Sequence, residues 1–111
     1  MSSYRSVTSD SVSQMKSALA KQPLAVAVDA ESSAWNNYSS GVLDTSRCGT
    51  SLDHAVLVTG WGHDSKSGLD YWMVKNSWGT RWGDKGYIKL AIHNGKGICG
   101  VQEDPQYCTS N

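Results

Sequence analysis

An α+β fold, one helix followed by an antiparallel sheet or half-open β-barrel, is what the 111 residues predict. Three observations carry that prediction. A single stretch with helical periodicity stands near the start of the chain. Short apolar and β-branched runs follow it, separated by turn residues. Eleven glycines, five tryptophans and five tyrosines, with no phenylalanine, suit tight turns between short strands. A chain of this length is one domain at most and buries roughly two-thirds of its unfolded surface.

The helix is "SDSVSQMKSALAKQP". Ser11 and Gln14 have capping-box spacing, and Asp10 adds negative charge near the N-terminus. Val12, Met15 and Leu19 fall on one face with Ala18 beside them, a stripe that reads as core. Pro23 stops the helix and biases Gln22 toward extended geometry. "LAVAVDA" then reads as a buried strand, and "ESSAWNNYSSG" as a polar loop carrying Trp35 and Tyr38. "DHAVLVTGWG" is the next strand, "HDSKSG" a hairpin-like turn and "LDYWMVKNSWG" the returning strand. "KGYIKLAI" is a further strand after the Gly-rich turn "GTRWGDKG". Asn37-Tyr38-Ser39 fits the N-glycosylation acceptor pattern and equally reads as an unmodified loop triplet.

Ten basic and ten acidic residues balance, and no basic run occurs, which argues against a nucleic-acid or anionic-membrane surface. The longest apolar run, Pro23 to Val28, is too short to span a bilayer, and the first residues lack the pattern of a signal peptide. Three cysteines, Cys48, Cys99 and Cys108, make an odd count.

His54 heads a strand of small apolar residues, where a histidine is either a hydrogen-bonded structural residue or a titratable group at the start of a site. A turn centred near residue 65 sets His54 opposite Asn76, and a bulge would shift that register by one. An asparagine carbonyl that accepts from one ring N–H fixes tautomer and orientation and aims the other nitrogen at a proton. Trp78, two residues on, suits a ring laid over that bond to exclude water and lower the local dielectric. A purely structural His–Asn pair is the other reading.

"CGTSLDHAVLVTGWG", "YWMVKNSWGTRWGDKGYIKLA" and "GICGV" together resemble the C-terminal half of a papain-like cysteine peptidase. The likeness runs from about Gln22 to Gln102, with the helix before it also in place. It implies the sheet-rich, right-hand domain of that fold, with residues 1–111 as a single domain. Carried over by position, His54 resembles the catalytic imidazole and Asn76 the residue that orients it. Trp78 resembles the shielding ring, and Trp82 a second tryptophan on the leaving-group side of the cleft. Ala27, Leu52, Asp53 and Ala55 match substrate-binding positions, the first two and Ala55 as walls of the P2 pocket. Asp104 matches the floor of that pocket, where an acid could receive Arg or Lys, with Glu103 as the neighbour that could point inward instead.

The resemblance pairs Cys48 with Cys99, a closure of about 52 residues worth roughly 4 kcal/mol in the loop-entropy model. Cys108 departs from the family pattern and reads as a thiol outside that bridge rather than a nucleophile, since it follows no helix N-terminus. The family's nucleophilic Cys-Gly-Ser-Cys-Trp stretch does not occur in the sequence. The resemblance therefore implies a cysteine-type endopeptidase of which these residues carry the general acid/base half and are inactive alone. It implies peptide or protein substrates, the N-terminal domain of the same peptidase, and cystatin-like or propeptide inhibitors as partners, with no cofactor and no metal. A lysosomal, vacuolar or extracellular parent enzyme follows from family and disulfide. The alternative is a non-catalytic peptidase-like binding module. A tryptophan-rich carbohydrate-binding module explains the rings but not the His–Asn register.

Overall fold

The computed structural model describes residues 2–110. Its order is β1 (Ser2–Ser6), α1 (Val12–Leu19), β2 (Leu24–Val28), α2 (Ser33–Asn36), β3 (Val42–Leu43), β4 (His54–Asp64), β5 (Leu69–Lys75), β6 (Tyr87–Ala91), a 3-10 turn (Ile98–Gly100) and β7 (Gln106–Ser110). The strands form one open sheet in the order β1-β7-β2-β4-β5-β6-β3. Every pairing is antiparallel except β3 with β6, so the α+β reading with one main helix holds and the sheet is mixed only at that edge.

Ser11 caps α1 by accepting from the Gln14 backbone N–H at 3.3 Å. Met15 is fully buried, and Val12, Ala18 and Leu19 pack against the core beside it. The inner sheet face supplies Leu24, Val26 and Val28 from β2, Val56 and Val58 from β4, Trp72 and Val74 from β5, and Ile88 and Leu90 from β6. The register of β4 with β5 shifts at Thr59, between Val58 and Gly60. This bulge takes up one residue, and Thr59 Oγ1 donates to Met73 O at 3.3 Å. Beyond it Trp61 pairs with Trp72 and stays half-exposed, with Lys16 Nζ 3.8 Å from its ring centre.

The hairpin differs from the sequence expectation in its centre. β4 continues to Asp64, which pairs with Leu69, so the turn lies at 65–68 rather than around residue 65. Asp64 Oδ2 accepts from Ser67 N at 2.9 Å and Ser67 Oγ at 2.7 Å, which holds its carboxyl below the usual range, and Gly68 supplies φ +74°. Leu57 therefore faces Lys75, two residues out from the register first expected. The sequence pattern does not predict β1, β3 and β7, each of which is short or polar. The segment that its composition predicts as a polar loop contains α2, capped by Ser32, and buries both Trp35 and Tyr38.

Cys48 and Cys99 are disulfide-bonded across 51 residues with Cα atoms 4.9 Å apart. Gln102 is fully buried and saturated. Its Oε1 accepts from Trp72 Nε1 at 3.0 Å, and its Nε2 donates to His93 O at 2.7 Å and Gly95 O at 2.9 Å. Replacing it leaves the buried Trp72 Nε1 without its acceptor and unties the carbonyls of His93 and Gly95. Gln102→Leu is expected to lower the unfolding free energy by about 2–4 kcal/mol in urea titrations, and a midpoint unchanged from wild type would show that the network adds nothing.

Candidate active site

His54 opens β4 opposite Val28 at the end of β2, and the loop leading to it is tied down from several directions. The Cys48–Cys99 bridge anchors its start. Asp29 N donates to Cys99 O at 2.8 Å, while the Asp29 carboxylate accepts from Glu31 N and Ser51 N. Asp53 N donates to Val28 O at 3.0 Å, and Asp53 Oδ1 accepts from Ala30 N at 2.9 Å. The carboxylates of Asp29, Glu31 and Asp53 gather within 4.8 Å. Backbone donors occupy oxygens of Asp29 and Asp53, so this corner is a hydrogen-bonded clamp on the strand before His54.

Asn76 follows β5, and its backbone N–H donates to Gly86 O at 3.0 Å, which carries the chain away from β4. Its side chain reaches back. His54 Nε2 and Asn76 Oδ1 lie 2.7 Å apart, and Ser77 N donates to the same Oδ1 at 2.8 Å. A backbone N–H can donate only to the amide oxygen, so Ser77 fixes which end of the amide faces the ring. With an oxygen there, the imidazole must present Nε2–H. Its Nδ1 is then the nitrogen left to take or give a proton.

Rings enclose this bond. Trp78 stacks on His54 with centroids 5.1 Å apart and planes at 30°. The observed hairpin register, continued past Lys75, brings residue 78 rather than 76 across from His54. Trp35 meets His54 and Trp78 edge-on, both at 6.5 Å, and stacks on Trp82 at 5.2 Å. Tyr38 lies 6.1 Å from Trp82, with its hydroxyl donating to Gly41 O at 2.5 Å and accepting from Lys89 N at 3.4 Å. Burial pushes the Tyr38 hydroxyl above its ordinary pKa. Gly83, at φ +62°, permits the turn beneath: a Cβ there would come within 2.7 Å of Tyr87 O and 3.3 Å of the Tyr38 ring. Asn76 is only 5% exposed, and its Nδ2 and the indole nitrogens of Trp35 and Trp82 are buried without an acceptor. Trp35, the central ring of the cluster, was missed as a site residue. Its signal was Ser32, a helix cap three residues before a large ring.

The substrate-position residues divide. Ala27, Ala55 and Asp104 line one shallow hollow of about 180 Å³ with Ala25, Val26 and Gln106. Leu52 and Asp53 lie outside that lining: Leu52 packs toward Gly100, and Asp53 holds the clamp described above. Between the two acids, Asp104 lines the hollow, whereas Glu103 turns to Lys96, 3.6 Å away. The surface beside the site is apolar in part, with Leu57 and Trp78 exposed. No helix among the described residues is long and apolar enough to cross a membrane.

The sheet-rich domain thus sets a histidine against an asparagine under a tryptophan. The chain belongs to the papain family of cysteine proteases, whose family profile it matches over residues 1–109. It is 47% identical over 110 residues to the probable cysteine protease RDL2 of Arabidopsis thaliana, covering 97% of this chain and 30% of that protein. It is 48% identical to the probable cysteine protease RD21B of the same plant, covering 95% of this chain and 22% of that protein. Its fold superposes on the bromelain protease of Ananas comosus, solved with the E64 inhibitor, at a TM-score of 0.89 and 47% identity, covering 97% of this chain and 50% of that one. It also superposes on the proform of Amb a 11, a ragweed pollen allergen cysteine protease, at 0.90 and 35% identity, covering 97% of this chain and 30% of that one. The chain thus spans a third or less of the curated relatives named and half of the bromelain chain.

The Ser77 argument makes a direct prediction. Nitrogen-15 spectra of the neutral His54 ring are expected to show the Nε2–H tautomer alone, and Asn76→Ala to give a mixture with Nδ1–H. A mixture already present in the wild type would overturn the assignment.

Proposed function

We propose that these residues form the general acid/base half of a cysteine endopeptidase. The observation that carries the reading is the 2.7 Å His54–Asn76 contact with its amide orientation set by Ser77. His54 exchanges the proton through Nδ1, Asn76 holds the ring, Trp78 shields the bond, and Trp82 flanks the leaving-group side. The thiolate comes from an N-terminal domain of the same peptidase, packed against the face that carries Leu57 and Trp78. That thiolate attacks the peptide carbonyl. The imidazolium gives its Nδ1 proton to the departing amine. The same nitrogen then draws a proton from the water that opens the thioester. Residues 1–111 act as a single domain of the enzyme and are inactive alone, because a unit of this kind loses nearly all its rate with its nucleophile.

Peptide and protein chains are the substrate class, and propeptide or cystatin-like inhibitors the ligands that compete for the cleft. The hollow of Ala27, Ala55 and Asp104 takes the P2 side chain, with small walls for aliphatic residues and a carboxylate for Arg or Lys. Leu52 and Asp53 support that wall from behind. The disulfide suits a vacuolar, lysosomal or extracellular setting.

Complementation tests this reading. The chain alone is expected to leave a Phe-Arg reporter intact at mildly acid pH with reductant, and to hydrolyse it once a separately made N-terminal half is added. Hydrolysis by the chain alone, lost in Cys108→Ser, would refute the assignment of the nucleophile. Binding of the added half without turnover would favour a peptidase-like binding module. In the reconstituted enzyme, Asp104→Ala is expected to lower kcat/KM for a P2 arginine reporter about fivefold, roughly 1 kcal/mol for a partly exposed ion pair, while leaving a P2 leucine reporter unchanged. Equal losses on both would remove Asp104 from the pocket floor.

A further inference from the structure

We propose that Asn37 is an acceptor for an N-linked glycan. Of the asparagines in the sequence, only Asn37 is followed two positions later by serine or threonine, and the residue between, Tyr38, is not proline. The motif alone is common in unmodified chains, so the local structure has to carry the assignment. Three features do so. First, the backbone around the motif separates its outer residues from its middle one. Tyr38 is buried and pinned by Gly41 O and Lys89 N, whereas Asn37 and Ser39 are exposed on either side of it. Second, the two adjacent asparagines are used differently. Asn36 Nδ2 donates to Ala30 O and to Ser32 O, both at 2.9 Å, and is committed to the α2 corner. Asn37 contributes its backbone N–H to the end of α2, through Ser33 O at 2.9 Å, and its side-chain amide stands on the exposed surface. Third, the Cys48–Cys99 bridge belongs to an oxidising compartment, the setting in which this modification is made.

The reaction is a group transfer from a polyprenyl-pyrophosphate-linked oligosaccharide. The Asn37 Nδ2 attacks the anomeric carbon of the first sugar. A carbon–nitrogen bond forms, the carbon–oxygen bond to pyrophosphate breaks, and the lipid pyrophosphate leaves with that electron pair. One amide proton passes to a base of the transferring enzyme. Because the amide is on the surface, the folded domain accommodates the sugar without displacing Trp35 or Tyr38 behind it.

The inference rests on the secretory setting of the reading above and not on the peptidase chemistry. The full chain, placed behind a cleavable leader, is translated into microsomes beside a control glycoprotein, and translocation is scored by protease protection. The protected chain is expected to carry one glycan, removed by an amidase that leaves Asp at position 37. The glycan should vanish in Asn37→Gln and in Ser39→Ala, and persist in Ser39→Thr and in Ser40→Ala. The readout is mass and does not require the variants to fold. A protected wild-type chain of the same mass as Asn37→Gln, beside a glycosylated control, would overturn the acceptor assignment. Mapping of Cys48 and Cys99 in the same product separates the two ideas: a bridge without a glycan refutes only the acceptor, and a product with neither refutes the secretory setting as well.

Discussion

One hydrogen bond sets the terms for the rest of the structure: His54 Nε2 to Asn76 Oδ1 at 2.7 Å. An imidazole has two tautomers and a freely rotating ring, and a site that depends on one nitrogen must remove both freedoms before any reaction begins. Here the choice is made in two stages. A backbone donor, Ser77 N, decides which end of the Asn76 amide faces the ring, and that oxygen then decides which ring nitrogen carries the proton. Neither stage depends on a charged side chain.

The aromatic cluster is the counterpart of that choice. Stacking by Trp78 and edge contacts from Trp35 exclude water from the bond and raise its electrostatic worth. The same exclusion carries a penalty. The Asn76 Nδ2 and the indole nitrogens of Trp35 and Trp82 are buried without acceptors, each at a cost of roughly 1–3 kcal/mol. A domain that needed only stability would place leucine and phenylalanine at these positions. The disulfide and the saturated Gln102 network contribute stability of the opposite sign elsewhere in the same domain.

The legible parts of this chain were those governed by local periodicity and by residue-specific motifs. Ser11 with Met15 and Leu19 announced α1, and alternating apolar residues announced β2, β4, β5 and β6. The meeting of His54 with Asn76 was readable too, although the arithmetic behind it was not. The turn lies at 65–68 and Thr59 bulges, so the strand register differs by two residues, and the contact survives because the Asn76 side chain turns back from the end of its strand. What escaped was decided by tertiary contact. The segment after Glu31 is polar by composition, yet Ser32 caps a single helical turn that drives Trp35 into the core. Strands β1 and β7 are polar and pair chiefly with each other, and β3 has only two residues, so none carries a clear strand signal of its own.

The architecture also explains how half of a proposed two-domain site can be ordered by itself. Every group that orients His54 belongs to this sheet: β2 pairs with it, the Asp29 and Asp53 clamp fixes the backbone before it, and β5 delivers Asn76 and Trp78. The open face of the Trp78 ring, 42% exposed, and the neighbouring Leu57 are the parts left without a covering layer. A second domain brought against them would have to supply a nucleophile, but it would not have to order the acid/base group, because that cost was met when this domain folded. Preorganisation of this kind lowers the reorganisation needed during reaction. The sheet and its flanking loops fix where the Nε2 proton is held, whatever is brought against the open face.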